Sequence, residues 1–200
     1  SLRNVSYGDF TNLKTESVTN MGSMFSSLGH NSSSTTFELI GLDNWDTSSV
    51  TNMFQMFSGY YLGSESYKYG VGYNATTWSI GNLSNWDTSS VTNMYSMFLY
   101  AGFKATTFDI GDLSGWDTSS VTSMSDMFEQ AGYSATTWSI GDLSGWNTSK
   151  VTNMKWMFGY AGYSATTFDI GDLSSWDVSS VTSMSDMFYH AGYSTPDRKS

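Results

Sequence analysis

Cysteine is absent from this chain of 200 residues, and proline occurs once, as Pro196. The first absence excludes disulfides and thiolate metal sites without settling the compartment. Charge is also sparse: 13% of residues are charged, and 8 Lys and Arg stand against 18 Asp and Glu, for a net charge of −10. A chain this acidic repels phosphate backbones, which argues against nucleic acid as a partner. No run approaches the ~18 apolar residues of a membrane span, so no membrane insertion is expected within this stretch. Residues 1–20 lack the basic-then-apolar layout of a secretory leader, and the first residue is Ser1. The expectation is an excised fragment whose targeting and anchoring segments lie outside it.

Aromatic residues are plentiful, at 16%, and Ser, Thr, Asn and Gly supply most of the polar surface. That composition suits turns and exposed strand faces. The chain is also self-similar. Trp86, Trp116, Trp146 and Trp176 follow one another at intervals of 30 residues. Around each runs a version of ATT[WF]-[SD]-I-G-[DN]-L-S-x-W-[DN]-x-S-x-V-T-x-M-x-x-M-F-x-x-A-G-[YF]. An earlier copy centres on Trp45, and a degenerate one opens the chain, with Leu13, Val18, Met21, Met24 and Phe25 in register. Alternate copies match best. Residues 105–134 and 165–194 differ only at Gly115/Ser175, Thr118/Val178, Glu129/Tyr189 and Gln130/His190. Growth by duplication of a two-repeat unit accounts for that pattern, and a fixed period is the signature of a solenoid.

Within one copy, Val91, Met94, Met97, Phe98 and Ala101 fall on one helical stripe, with Ser89 or Ser90 placed to cap it and Gly102 to end it. Upstream, Thr76–Ile80 alternates as a strand, and Leu83 to Trp86 reads as a second short extended piece after a break at Gly81. The expected fold class is therefore an α/β repeat solenoid, each coil a short strand, a corner and a short helix. Coils are expected at about 1–33, 34–74 (with an insertion over 58–74), 75–104, 105–134, 135–164 and 165–194, with a tail at 195–200, all in one domain. Neighbouring coils must cover both faces of each coil, because one coil alone cannot offset the entropy of its own ordering.

The strings LSNWDTSSVTNMYSMF and LSGWDTSSVTSMSDMF resemble the bacterial surface-protein 26-residue repeat family, part of the BspA-like leucine-rich-repeat group. The likeness recurs six times along nearly the whole chain, here with coils of 30 residues. It implies a right-handed, leucine-rich-repeat-like solenoid on a secreted or lipid-anchored protein, active in adhesion or in host and matrix binding. It supplies no catalytic residues.

The repeated residues have structural readings. The methionines pair at i, i+3 on the apolar stripe, as core residues do. Asp112, Asp142 and Asp172 form one acidic column, begun by Asn82. Asp46, Asp87, Asp117 and Asp177 form another, interrupted by Asn147. Stacked carboxylates can hold calcium, but the Asn members favour backbone capping, so no metal and no cofactor is expected. His30 and His190 are the only histidines and lie far apart, and no phosphate loop or zinc motif occurs, so the chain is read as not an enzyme.

Distinctive chemistry sits where repetition breaks. The insertion carries Tyr60, Tyr61, Tyr67, Tyr69 and Tyr73 among Gly and Ser, a composition suited to binding. The other break is a pair of variable columns, Phe54, Tyr95, Ser125, Lys155, Ser185 and Gln55, Ser96, Asp126, Trp156, Asp186, from which Tyr95 and Trp156 are candidate ligand contacts. The expected function is extracellular or cell-surface adhesion, with a host protein, matrix or glycan as partner. A structural stalk holding another domain off the cell is the alternative, and ice binding by the Thr-Thr columns is a remote third.

Overall fold

The computed structural model describes residues 7–59 and 70–196. Six stacked coils repeat along them. Each contributes one short parallel strand: β1 (Tyr7–Asp9), β2 (Thr36–Ile40), β3 (Thr77–Ser79), β4 (Thr107–Asp109), β5 (Thr137–Ser139) and β6 (Thr167–Asp169). Strands β1 to β4 form one sheet in chain order and β5 pairs with β6. Equivalent residues stand side by side, as in Thr77↔Thr107 and Trp78↔Phe108, and the Thr136 N–H donates to the Thr106 carbonyl at 3.0 Å between the two sheets. The alternation expected of Thr76–Ile80 is therefore present: Trp78 points inward and Thr77 outward.

The helix is not. Among the described residues there is no α-helix, and the segment from Val91 to Ala101 is a run of turns. Met94, Ser96, Phe98 and Tyr100 donate their N–H groups to Ser123, Ser125, Met127 and Glu129 of the next coil at 2.8–3.2 Å. The intervening donors, Met97, Leu99 and Ala101, close turns onto Met94, Ser96 and Phe98 at 3.0–3.3 Å. A helix would spend all of these donors inside one coil. Linked four-residue turns also bring i and i+3 to one side, so the Met–Met–Phe spacing fits both structures and could not separate them. Gly102 does adopt the left-handed conformation, at φ 56°, but it closes a turn. The piece expected to be extended at Leu83–Trp86 is a tight turn as well, closed by Trp86 N–H to the Leu83 carbonyl at 3.1 Å, and in two coils it is a 3-10 turn (Leu42–Asn44, Leu143–Gly145).

Stacked columns fill the interior. Trp45, Trp86, Trp116, Trp146 and Trp176 lie nearly parallel at 6.2–6.3 Å between ring centroids. Each indole N–H from Trp86 onward donates to a Leu carbonyl in the preceding coil, as Trp116 does to Leu83 at 3.0 Å. Phe25, Phe57, Phe98, Phe128, Phe158 and Phe188 form a second column at 5.3–5.5 Å. The methionines of the four middle turn runs are fully buried, whereas Met24 and Met184, in the end coils, are 44% exposed. The core is thus one continuous rod, and each coil supplies half of its neighbour's cover.

Candidate functional site

The turn runs form one edge of the solenoid, and its backbone is unusual. Two columns of that edge have positive φ without being glycine: Ser23, Gln55, Ser96, Asp126, Trp156 and Asp186, then Ser27, Tyr100, Gln130, Tyr160 and His190. Left-handed backbone costs a residue with a side chain about 1–2 kcal/mol, and Gly, Asn or Asp normally takes such places. Tyr, Trp, Gln and His there suggest side chains chosen for what they present rather than for what the backbone prefers. The coil-to-coil hydrogen bonds described above hold these corners in place.

The insertion departs from this same edge. Gly59 holds the position of Tyr100 in its coil, with its N–H on the Leu99 carbonyl at 2.7 Å. The chain returns at Gly70, so close that a Cβ on Gly59 would stand 2.9 Å from the Gly70 Cα, and one on Gly70 would collide with the Tyr100 carbonyl oxygen. Only a glycine pair permits that neck. Tyr60, Tyr61, Tyr67 and Tyr69 lie outside the described residues. Tyr73 is described and belongs to a repeat column: it is 8% exposed and stacks on Phe103 at 5.8 Å.

That column, Tyr73–Phe103–Tyr133–Tyr163–Tyr193, continues at 4.7–4.9 Å along the edge and becomes exposed toward Tyr193. Beside it, in the last two coils, aromatic rings converge. Trp156 stacks on Tyr160 at 6.1 Å and 10°, and both meet Tyr189 at steep angles, 72° and 80°, at 5.5 and 5.2 Å. His190 lies between Tyr160 at 5.2 Å, Tyr189 at 4.2 Å and Tyr193 at 4.8 Å, and its buried Nδ1 has no hydrogen-bond partner among the described residues. Trp156, a candidate from sequence, is half-buried: it lies over Gly159, where a Cβ would collide with the indole. Tyr95, the other candidate, is also half-buried and stacks on Phe54 at 5.5 Å, two coils away from this cluster.

An acid that sequence reasoning passed over lies one coil before these rings. Glu129 is half-buried between Leu99 and Gly159 in its column. Burial, and then the nearby Asp126 carboxylate, push its carboxyl up to about 7. Ser125 donates to Asp126 at 2.7 Å, with the Lys155 carbonyl at 3.1 Å, and the Gln130 amide bridges to Tyr100 Oη at 3.3 Å. The signal was available: two of the four differences between residues 105–134 and 165–194 are Glu129/Tyr189 and Gln130/His190.

The acidic columns do structural work. Asp112, Asp142, Asp172 and Asn82 each accept from the backbone N–H two residues on at 2.8–2.9 Å, and Asp117, Asn147 and Asp177 do the same at 2.9–3.1 Å. Among the described residues, no three His, Cys, Asp or Glu converge as a metal site would need. The Thr76 and Thr92 hydroxyls donate to carbonyls of the preceding coil at 3.1 Å, and their columns repeat the bond, which commits those protons.

The family model described as Mycoplasma protein of unknown function, DUF285, matches residues 3–62, 70–138 and 103–198. The chain belongs to that family. No curated protein and no solved structure matches it.

Proposed function

We propose that this member of the DUF285 family is a binding array, displayed outside the cell, that holds a host protein, matrix component or glycan against the edge built by its turn runs. One observation carries the reading: the buried Trp, Phe and Met columns repeat almost unchanged from coil to coil, while columns on that edge range from Ser to Trp and the insertion departs from it. A ligand reading the repeated columns would meet the same chemistry at every step. At Trp156, Tyr189 and His190 it would meet something particular. The BspA-like likeness of the LSGWDTSSVTSMSDMF string agrees with a surface protein active in adhesion, and among the described residues the carboxylates recur as repeated columns rather than as the one asymmetric constellation catalysis needs.

A screen of matrix proteins and glycans tests this, run with the wild type and with a Trp156→Ala/Tyr189→Ser variant. The variant is expected to bind any hit at least tenfold more weakly, about 1.4 kcal/mol, with its thermal melt unchanged. A companion variant, with Tyr60, Tyr61, Tyr67 and Tyr69 replaced by Ser, reports whether the insertion belongs to the same site. Hits indifferent to both variants, or no hits at all, would favour the stalk.

A further inference from the structure

This inference rests on the reading that the turn-run edge is the binding surface, and it concerns what that edge takes. The edge already holds one amine. Lys104 Nζ stands 4.4 Å from the centroid of the Tyr73 ring and donates to Asn74 Oδ1 at 3.2 Å. An aromatic face and one oxygen acceptor are therefore enough to seat an ammonium on this column. In the three following coils the residue equivalent to Lys104 is serine, at Ser134, Ser164 and Ser194, while the ring column continues as Tyr133, Tyr163 and Tyr193. The rings continue, stacked at 4.7–4.9 Å; the lysine and the Asn74 acceptor, whose shared column is serine there, do not.

Oxygen acceptors accompany those later rings. Asp126, Glu129 and Asp186 lie on the edge of these coils against one cation, Lys155. Asp126 and Asp186 stand two coils apart, about 10 Å at the usual spacing between strands. Trp156 and Tyr160 form one wall and Tyr189 a second, at nearly a right angle to it. In this corner the His190 Nδ1 lacks a partner among the described residues, an acceptor left over if the other ring nitrogen carries the proton. Glu129 also bears a burial penalty that a cation brought against it would relieve.

We propose that the edge of the last three coils binds a basic segment of a partner protein, its Lys or Arg side chains seated against the Trp156, Tyr160 and Tyr189 rings and neutralised by Asp126, Glu129 and Asp186. The net charge of −10 favours such a partner at long range, and the rings give the binding its place.

The experiment follows fluorescence anisotropy of a labelled Gly/Ser peptide carrying alternating lysine and arginine, with its glutamate counterpart and a neutral oligosaccharide mixture as competitors. The basic peptide is expected to bind, more weakly as salt rises, and neither competitor should displace it. Asp126→Asn/Glu129→Gln and Trp156→Ala should each weaken it about fivefold or more. Glu38→Gln, on the outward face of β2, should leave it unchanged, and near-ultraviolet circular dichroism and thermal melts should confirm that every variant folds. Absence of binding, equal loss in Glu38→Gln, or indifference to Trp156→Ala would overturn the proposal. If it falls while Trp156→Ala/Tyr189→Ser still loses the hits of the wider screen, only the ligand class is wrong. If both fail, the edge is not the binding surface.

Discussion

The fourth and sixth coils, residues 105–134 and 165–194, are nearly the same sequence in two surroundings. Met124 and Phe128 are fully buried, while their equivalents Met184 and Phe188 are each 44% exposed. Thr118 is fully buried and its hydroxyl reaches the Asn147 carbonyl of the next coil at 3.0 Å; Val178, in the same place, has no such group and is 43% exposed. Four substitutions cannot produce that contrast. What differs is the neighbour: among the described residues the fourth coil is covered on both sides and the sixth on one. A coil of this array does not contain its own core, so the energetic weight of a residue depends on its position along the stack more than on its type.

The largest test of that statement lies in the tryptophan column. Trp116 is 2% exposed, stacked on both sides at 6.3 Å, and among the described residues Trp176 is stacked only on Trp146. Trp116→Ala should destabilise the protein by about 3–5 kcal/mol, the cost of a large side chain lost with its cavity unfilled. Trp176→Ala should cost about 1–2 kcal/mol, because part of its surface is already in water. Denaturant titrations of the two variants measure the difference. Equal losses would mean that each coil carries its own stability.

A smaller effect separates the coils at Glu129 and Tyr189. An exposed glutamate titrates near 4.3, and the folded Glu129 carboxyl is raised to about 7, first by burial and then by Asp126. Below about pH 4 both states are protonated there. Between about pH 4 and 7 the folded state keeps a proton that the unfolded chain has lost, so stability falls as pH rises through this window and levels off above it. Glu129→Gln should remove that slope, gaining about 1 kcal/mol at pH 8 after allowance for solvent screening and nothing at pH 4. Unfolding measured at the two pH values checks it; a gain of the same size at both would assign the effect to packing. A side chain that weakens the fold at neutral pH, one coil before the Trp156 and Tyr160 rings, fits a binding role better than a structural one.

How far the sequence could be read follows from the same physics. The repeat, its length, the strand at Thr77–Ser79 and the buried tryptophan and methionine columns were all legible, because side-chain periodicity reports burial directly. The helix was not, since Met94, Met97, Phe98 and Ala101 lie on one side of linked turns just as they would on a helix. What separates the two structures is where the backbone N–H groups of Met94, Ser96, Phe98 and Tyr100 go, and side-chain identity does not encode that. The candidate edge was legible in part. Trp156 and the break at the insertion stood out, whereas Glu129 and His190 became informative only when folding half-buried Glu129 against Asp126 and placed His190 beside Tyr160 and Tyr189.

The smallest expected effect concerns the acidic column, where the fourth and sixth coils agree and the fifth, between them, differs. Asp117 and Asp177 accept from the backbone N–H groups of Ser119 and Ser179 at 2.9 Å, and Asn147 accepts from that of Ser149 at 3.1 Å. The serine hydroxyls and then these backbone bonds hold the Asp117 and Asp177 carboxyls below the usual range, which reports satisfied oxygens rather than a missing cation. A neutral amide already performs the task in the middle coil, so the task does not require charge. Asp117→Asn should therefore alter stability by no more than about 0.5 kcal/mol, and melts with and without a chelator should coincide. Calcium held between coils through this column would instead need the carboxylates as ligands. Chelation would then lower the melting temperature by many degrees, and Asp117→Asn would abolish that dependence. In that event the fifth coil, with its single amide, would be the weak point of the stack rather than an equal member of it.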